Sequence, residues 1–253
     1  MKKLNLRSIK QMKQKKIQVL TCYDFQTACL LDQLDLDMIL VGDSLGNVML
    51  GYETTVEVSI QEMEIFAKAV RRGAPNKFLI VDLPFGSYST INQGIQSATR
   101  LFQNTKAEAV KLEGAFPYQL KLIERLTQTG IPVMGHIGLT PQSVHQLGGY
   151  FTHGKNISDA ERLMQEALAL EAAGAFSIVL EMVDEKVATE ITQKLSIPTI
   201  GIGAGQKTDG QVLVINDLLK LGPKTPPKFC TPIIDLFELK KVTLEKYLQD
   251  QRK

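Results

Sequence analysis

Eight short runs of β-branched and apolar residues recur along the chain, at 17–21, 38–41, 78–81, 109–112, 132–137, 176–180, 198–202 and 212–215. Between most of them lie segments whose apolar residues repeat at helical spacing, at 58–70, 91–105, 118–129, 159–173 and 185–195. The punctuation agrees. Ser158 precedes Asp159-Ala160-Glu161 as a predicted helix N-cap, and Gly73, Gly130 and Gly174 stand where helices should stop. Strands that are apolar throughout must be covered on both faces, by helices flanking an open sheet or by helices ringing a barrel. Eight units favour the barrel, and the glycine fingerprint that follows the first strand of a doubly wound sheet is missing. The spacing therefore predicts an α/β chain that forms a single (β/α)8 TIM barrel across residues 1–253. Within it, residues 1–16, with Leu6, Ile9 and Met12 at helical spacing, are expected to cap the barrel's amino-terminal end. Residues 222–253 are expected to form a C-terminal loop and helix.

Composition narrows the class of partner. The 253 residues carry 29 Lys and Arg against 27 Asp and Glu, a formal net charge of +2, without the basic stripe that a nucleic-acid backbone selects. No apolar run approaches the roughly 18 residues of a membrane helix. The start Met1-Lys2-Lys3-Leu4-Asn5-Leu6-Arg7 lacks the apolar stretch of a secretory signal, so a cytoplasmic protein is expected. Cys22, Cys29 and Cys230 form no close pair, which suits a reducing compartment.

In such a barrel the chemistry sits at the carboxyl ends of the strands. The polar residues there are Asp24 after the first run, Asp43 and Ser44 after the second, Asp82 after the third, Lys111 and Glu113 around the fourth, His136 on the fifth and Glu181 after the sixth. A lone Asp in such a place is most often a helix N-cap. Several acids converging on one mouth are different, because they repel unless a cation compensates. Oxygen ligands without a Cys and His cluster select a hard divalent ion, with Mg2+ as the default and zinc disfavoured. His136 is assigned to hydrogen bonding rather than ligation, and His145 and His153, in a glycine-rich stretch, are expected to be solvated. The run Gly201-Ile202-Gly203-Ala204-Gly205 reads equally as an anion-binding turn or a plain tight turn. Tyr88, Tyr150 and Phe151 are rim aromatics that could stack on a planar ligand or simply pack.

Several blocks then carry a resemblance: Val41-Gly42-Asp43-Ser44-Leu45-Gly46, Asp82-Leu83-Pro84-Phe85, Val110-Lys111-Leu112-Glu113-Gly114, Gly135-His136-Ile137-Gly138-Leu139-Thr140-Pro141-Gln142-Ser143 and the glycine run at 201–205. In this order and spacing the chain resembles the ketopantoate hydroxymethyltransferases (3-methyl-2-oxobutanoate hydroxymethyltransferases) from about residue 9 to 215. The resemblance implies a barrel of the phosphoenolpyruvate/pyruvate-binding type that needs Mg2+. The implied reaction is hydroxymethyl transfer from 5,10-methylenetetrahydrofolate, as co-substrate, to the keto acid 3-methyl-2-oxobutanoate, giving 2-dehydropantoate in pantothenate synthesis. It also implies Asp43 and Asp82 as metal ligands, with Glu113 a third, directly or through water. Asp43, Ser44, Asp82 and Lys111 are implied substrate contacts, with His136 joining them as a hydrogen-bonding group, and Glu181 is the implied proton acceptor. A homo-oligomer, a decamer, is implied too. The competing readings are another Mg2+-dependent enolate-forming lyase or mutase on the same barrel, or a keto-acid-binding protein without catalysis. Against the first, the loops after runs three and four hold no cysteine; against the second, Lys111 and Glu181 are not needed for chelation.

Overall fold

Eight parallel strands close on themselves in chain order in the computed structural model, which describes residues 3–252. They are β1 (Ile17–Thr21), β2 (Met38–Val41), β3 (Phe78–Asp82), β4 (Ala109–Lys111), β5 (Val133–Gly138), β6 (Ser177–Glu181), β7 (Thr199–Ile202) and β8 (Gly210–Leu213). The barrel is the predicted one, with strand boundaries displaced by one or two residues at several ends. β2, β3 and β4 are buried at every position, as strands covered on both faces must be. Inside the ring, Ile17, Val19, Met38, Leu40, Phe78, Ile80, Met134, Phe176, Val179 and Ile200 share one apolar core, and Phe78 meets Phe176 edge to face at 5.9 Å.

The crossover helices are set by their caps. In α2 (Phe25–Asp32) the cap is Asp24, whose carboxylate accepts from the Thr27 amide at 2.8 Å and its hydroxyl at 2.7 Å. Asp24 is thus a capping residue and not a member of the cup of acids, the ordinary outcome for an Asp immediately before a helix. Ser59 and Glu62 form a capping box on α3 (Ile60–Gly73), Thr90 caps α4 (Ile91–Thr105), and Pro117 opens α5 (Pro117–Gln128). The helix after β5, α7 (Ile157–Ala172), starts two residues before the position expected from Ser158, because the Asn156 side chain accepts from the Asp159 amide. A short helix α6 (Val144–Leu147) precedes it, and α8 (Glu185–Lys194) links β6 to β7. Between β7 and β8 no helix intervenes.

The expected capping segment 1–16 is helical only in α1 (Leu6–Lys10), and residues 1 and 2 lie outside the described residues. Ile9 nevertheless enters the barrel core, with Leu4, Leu6 and Met12 packed against it, so one turn suffices to close that end. The chain divides into two compact units, Met1–Val212 and Leu213–Lys253, a junction earlier than the tail expected from residue 222. The second unit holds α9 (Ile215–Leu218) and α10 (Leu236–Asp250), and Asp235 caps α10 through the Glu238 amide.

Phe176 is 1% exposed at the centre of the ring. Phe176→Ala should therefore lower stability by about 3–5 kcal/mol in urea denaturation. A loss under about 1 kcal/mol would mean that the ring is not packed as described.

Candidate active site

Parallel strands in register end at one level, so residues that close adjacent strands face one cup. Asp82 and Lys111 are direct register partners on β3 and β4, and Gly138 and Glu181 are partners on β5 and β6. Asp43 follows β2, Glu113 follows β4, and His136 lies within β5. Asp43, Asp82, Lys111, Glu113 and His136 are each at most 5% exposed, whereas the Glu181 side chain keeps 17% of its surface at the mouth.

The charges are interlocked. Lys111 Nζ lies 2.8 Å from Asp82 Oδ1, and Asp82 Oδ2 accepts from the Asp43 amide at 3.1 Å. Burial alone would lower the Lys111 pKa, but Asp82, Glu113 and Asp43 outweigh it and hold the ammonium more firmly charged than usual. Burial and the neighbouring Asp82 and Glu113 push the Asp43 carboxyl well above its ordinary range. Asp82 is also raised, by burial, although Lys111 offsets part of that rise. Glu113 moves the other way: burial would raise it, yet His136 and Lys111 hold it below the normal carboxylate range. His136 stands between two acids, with Nδ1 3.4 Å from Glu113 Oε1 and Nε2 3.3 Å from Glu181 Oε2. Neither contact has hydrogen-bond geometry, so they act as ion-pair contacts. Burial disfavours the imidazolium, but the two carboxylates win and lift its pKa to about 9.

Glu181 was expected to sit among acids; its near neighbour is instead the imidazole of His136. Its backbone is fixed from three sides. Glu181 O accepts from the Leu139 amide at 2.8 Å, and the Met182 amide donates to Ile202 O at 2.8 Å. Gly138, at φ +95°, packs so closely that a Cβ there would stand 2.2 Å from Glu181 O. Met182 itself adopts a left-handed conformation, φ +48°. Such strain in a non-glycine residue persists only when its surroundings impose it. Part of that imposition comes from His153, whose amide donates to Met182 O at 2.7 Å and whose carbonyl accepts from Asp184 at 2.8 Å. His153 is buried by this bridge and is not the solvated residue expected from its glycine-rich surroundings.

Three further residues complete the cup without having been singled out for it. Gln142, in a turn after β5, donates its amide to Glu113 Oε2 at 3.0 Å and its side-chain Nε2 to Asp43 Oδ2 at 2.7 Å and Leu83 O at 3.0 Å. Tyr88 donates its hydroxyl to Gln142 Oε1 at 2.5 Å, which places it inside the cup's wall and not on the rim. Tyr23, the residue beside the capping Asp24, hydrogen-bonds Ser44 at 2.7 Å and so orients its hydroxyl. Tyr150 and Phe151 do stand exposed, and the Glu181 charge is felt at Tyr150, whose phenol is raised by burial first and by that carboxylate next. The glycine run at 201–205 begins in β7 and bends away after Ile202: Gly205 has φ +76° and packs on Glu185, which accepts from the Gln206 amide at 3.2 Å.

The fit to a metal can be judged from the donors. Among the described residues no group of three or more His, Cys, Asp and Glu is arranged to hold an ion, so the expected set of Asp43, Asp82 and Glu113 is not a ready-made cage. The physical reason is that Glu113 is turned to the Gln142 amide and to His136. Asp43 and Asp82 remain as a pair, and Asp82 Oδ1, though near Lys111, is buried without a hydrogen bond of its own. Two hard carboxylates with the remaining positions left to water and substrate oxygens are what Mg2+ ordinarily takes. Ionised together, the four carboxylates would outweigh Lys111 and a protonated His136, and burial opposes that ionisation at Asp43 and Asp82, so a divalent cation between those two would stabilise their charged form.

Comparison with known proteins gives the chain's relatives. Residues 3–253 match the model of the family described as Ketopantoate hydroxymethyltransferase. The 3-methyl-2-oxobutanoate hydroxymethyltransferase of Thermosipho africanus is 50% identical over 246 residues, covering 96% of this chain and 92% of its own. That of Pseudothermotoga lettingae is 49% identical over 98% of this chain and 94% of its own. Among solved structures, phosphoenolpyruvate phosphomutase from Streptomyces platensis subsp. rosaceus superposes with a TM-score of 0.69 at 14% identity, over 98% of this chain and 88% of that one. A 2,3-dimethylmalate lyase of the PEP mutase/isocitrate lyase superfamily gives 0.60 at 14%, over 82% and 80%. These two share the fold.

Gln142→Ala would leave Asp43 Oδ2, Leu83 O and the Tyr88 hydroxyl without their partner. Stability in urea should fall by about 1–3 kcal/mol, the cost of a stranded buried polar group. An unchanged midpoint would show that Gln142 does not organise the cup.

Proposed function

Because the chain belongs to the ketopantoate hydroxymethyltransferase family, we propose that it transfers a hydroxymethyl group from 5,10-methylenetetrahydrofolate to 3-methyl-2-oxobutanoate, giving 2-dehydropantoate and tetrahydrofolate for pantothenate synthesis. The observation that carries this reading is the division of the cup. Lys111, Asp82 and Asp43 form one buried set, and Glu181, which alone keeps contact with solvent, stands against His136.

The keto acid enters with its carboxylate toward Lys111, whose charge is fixed by three acids, and toward the Ser44 hydroxyl held by Tyr23. Mg2+, held by Asp43 and Asp82 with Glu113 acting through water, would supply an electrophile for the negative charge that grows on the keto oxygen. Glu181 accepts the C3 proton. His136, charged between Glu113 and Glu181, holds that carboxylate in position, and its ring N–H groups, not hydrogen-bonded within the chain, can donate to an oxygen of the substrate. C3 then bonds to the one-carbon unit, the bonds of that unit to the folate break, and water supplies the hydroxyl. Tyr150 and Phe151, exposed at the mouth, offer flat apolar faces to the pterin.

The exposed apolar residues of α10 point to self-association. Leu239, Val242, Leu244, Tyr247 and Leu248 are each more than half exposed, an uncommon arrangement for a helix that stays in water. We take the assembly to be the decamer that the family resemblance implies, working in the cytoplasm; no helix among the described residues is long and apolar enough to cross a membrane.

The chemistry is tested without folate, by following exchange of the C3 hydrogen of 3-methyl-2-oxobutanoate with deuterated solvent by NMR. Glu181→Gln should lose roughly 10²–10⁴-fold in exchange rate while still binding the keto acid, as expected of a general base replaced by its neutral isostere. Chelation of Mg2+ should stop exchange in the unmodified chain. Wild-type exchange in Glu181→Gln would move the base elsewhere. For the assembly, light scattering should give a mass near ten chains, and a monomer at micromolar concentration would refute it.

A further inference from the structure

A second concavity lies at the opposite end of the barrel, where the chain enters β1 and β8. Its volume is about 440 Å³, within the range of small-molecule sites, and it lies between the segment before β1, the end of α8 and the residues before β8. Four lysines line it: Lys13, Lys15, Lys16 and Lys207. One carboxylate, Asp209, lines it with them, and that carboxylate is already consumed. Asp209 Oδ2 accepts from Lys13 Nζ at 2.8 Å and from the Thr199 amide at 2.9 Å, while Oδ1 accepts from the Gln14 amide at 2.7 Å.

Two consequences follow from the saturation of Asp209. Lys13 is neutralised, and its ammonium is further spent on Thr192 O at 2.6 Å. The other three lysines have no carboxylate partner among the described residues; Lys16 reaches only a carbonyl, Gln206 O, at 3.0 Å. The segment that carries Lys15 and Lys16 is also not a loose tail. Gln14 is held in a left-handed conformation, φ +66°, by its bond to the buried Asp209, and such strain is kept only where the surroundings impose it. Two uncompensated ammonium groups, Lys15 and Lys16, are therefore presented from a braced turn, and a third, Lys207, from the connection before β8, around one concavity. A ligand of several negative charges is the complement of such a set, and compact ammoniums without an arginine fork suit a phosphate's point-like charge. The concavity exceeds a bare phosphate in size, and Leu195 gives it an apolar wall.

We propose that this concavity is a second ligand site, distinct from the catalytic cup, which takes a phosphate-bearing small molecule. Nothing in it resembles the machinery of the cup: it holds no pair of acids and no imidazole. Because it spans the junction of β8 and β1, where the Ile17 amide donates to Asp209 O at 2.9 Å, occupation should also make the barrel harder to unfold.

The test is isothermal titration calorimetry on the full chain at low ionic strength without Mg2+, with inorganic phosphate and adenosine 5′-monophosphate as probes. Saturable binding of either is expected, and tighter binding of the monophosphate would identify a phosphate ester, rather than free phosphate, as the ligand. The triple variant Lys15→Gln, Lys16→Gln, Lys207→Gln should bind about ten-fold more weakly or worse. An equal loss of charge on α10, through Lys240→Gln, Lys241→Gln and Lys246→Gln, should leave the affinity unchanged. The substituted side chains are exposed, and the melting temperature of the unliganded variants verifies that they fold. Three results would overturn the proposal: no saturable binding, equal loss in both triple variants, or displacement of the probe by 3-methyl-2-oxobutanoate, which would place it in the cup.

Discussion

The ion pair of Lys111 with Asp82 is the constraint around which the mouth of the barrel is arranged. It joins register partners on adjacent strands, both almost fully buried. Burying two charges costs several kcal/mol each, which further hydrogen bonds to the pair help to offset. Asp82 therefore takes the Asp43 amide on its other oxygen, Asp43 takes Gln142, Gln142 takes Tyr88, and the Gln142 amide turns to Glu113. One buried cation thus recruits a chain of groups from the ends of four strands, β2 to β5, and the loops that follow them. Asp43 and Asp82, whose ionisation burial opposes, are the pair to which we propose that a divalent cation binds.

His136 and Glu181 belong to a different regime. Glu181 keeps access to solvent and is held through its backbone, by the close approach of Gly138 and the left-handed Met182. The buried set of the cup is thus rigid through its charges, and the mouth through its main chain. The imidazolium of His136 touches both, so that the two halves share one positive charge.

The barrel and most of the cup could be read in the sequence for one reason: in a parallel ring every strand ends at the same level, so position along the chain translates into position in space. Asp43, Asp82, Lys111, Glu113, His136 and Glu181 meet in that way. What could not be read depends on loops, where no periodicity transfers sequence to geometry. Gln142 and Tyr88 act through side chains set by turn conformation, and Tyr23 was hidden beside the more conspicuous Asp24, which caps a helix. The burial of His153 likewise comes from a bridge between two loops. No helical spacing stands between the last two runs, and no helix forms between β7 and β8, whereas α2 forms between β1 and β2 where the spacing predicts none, its apolar residues following no clear helical stripe. For the capping segment, Leu6, Ile9 and Met12 gave the correct apolar face but not the helix length, because a single turn that buries Ile9 satisfies the same pattern.

The closure at Asp209 also bears on how the molecule reaches its shape. Lys13 and Gln14 meet Asp209 across separations of 196 and 195 residues, whereas each crossover helix joins strands that are neighbours in sequence. A contact of that span must meet the entropy of a nearly chain-long loop before it returns anything. The ring's last seam is therefore the step least helped by local structure. Bonds that form there contribute little to the rate of folding and mainly slow the reopening of the barrel. Asp209, remote from every reacting atom, acts as a clasp on the lifetime of the native ring.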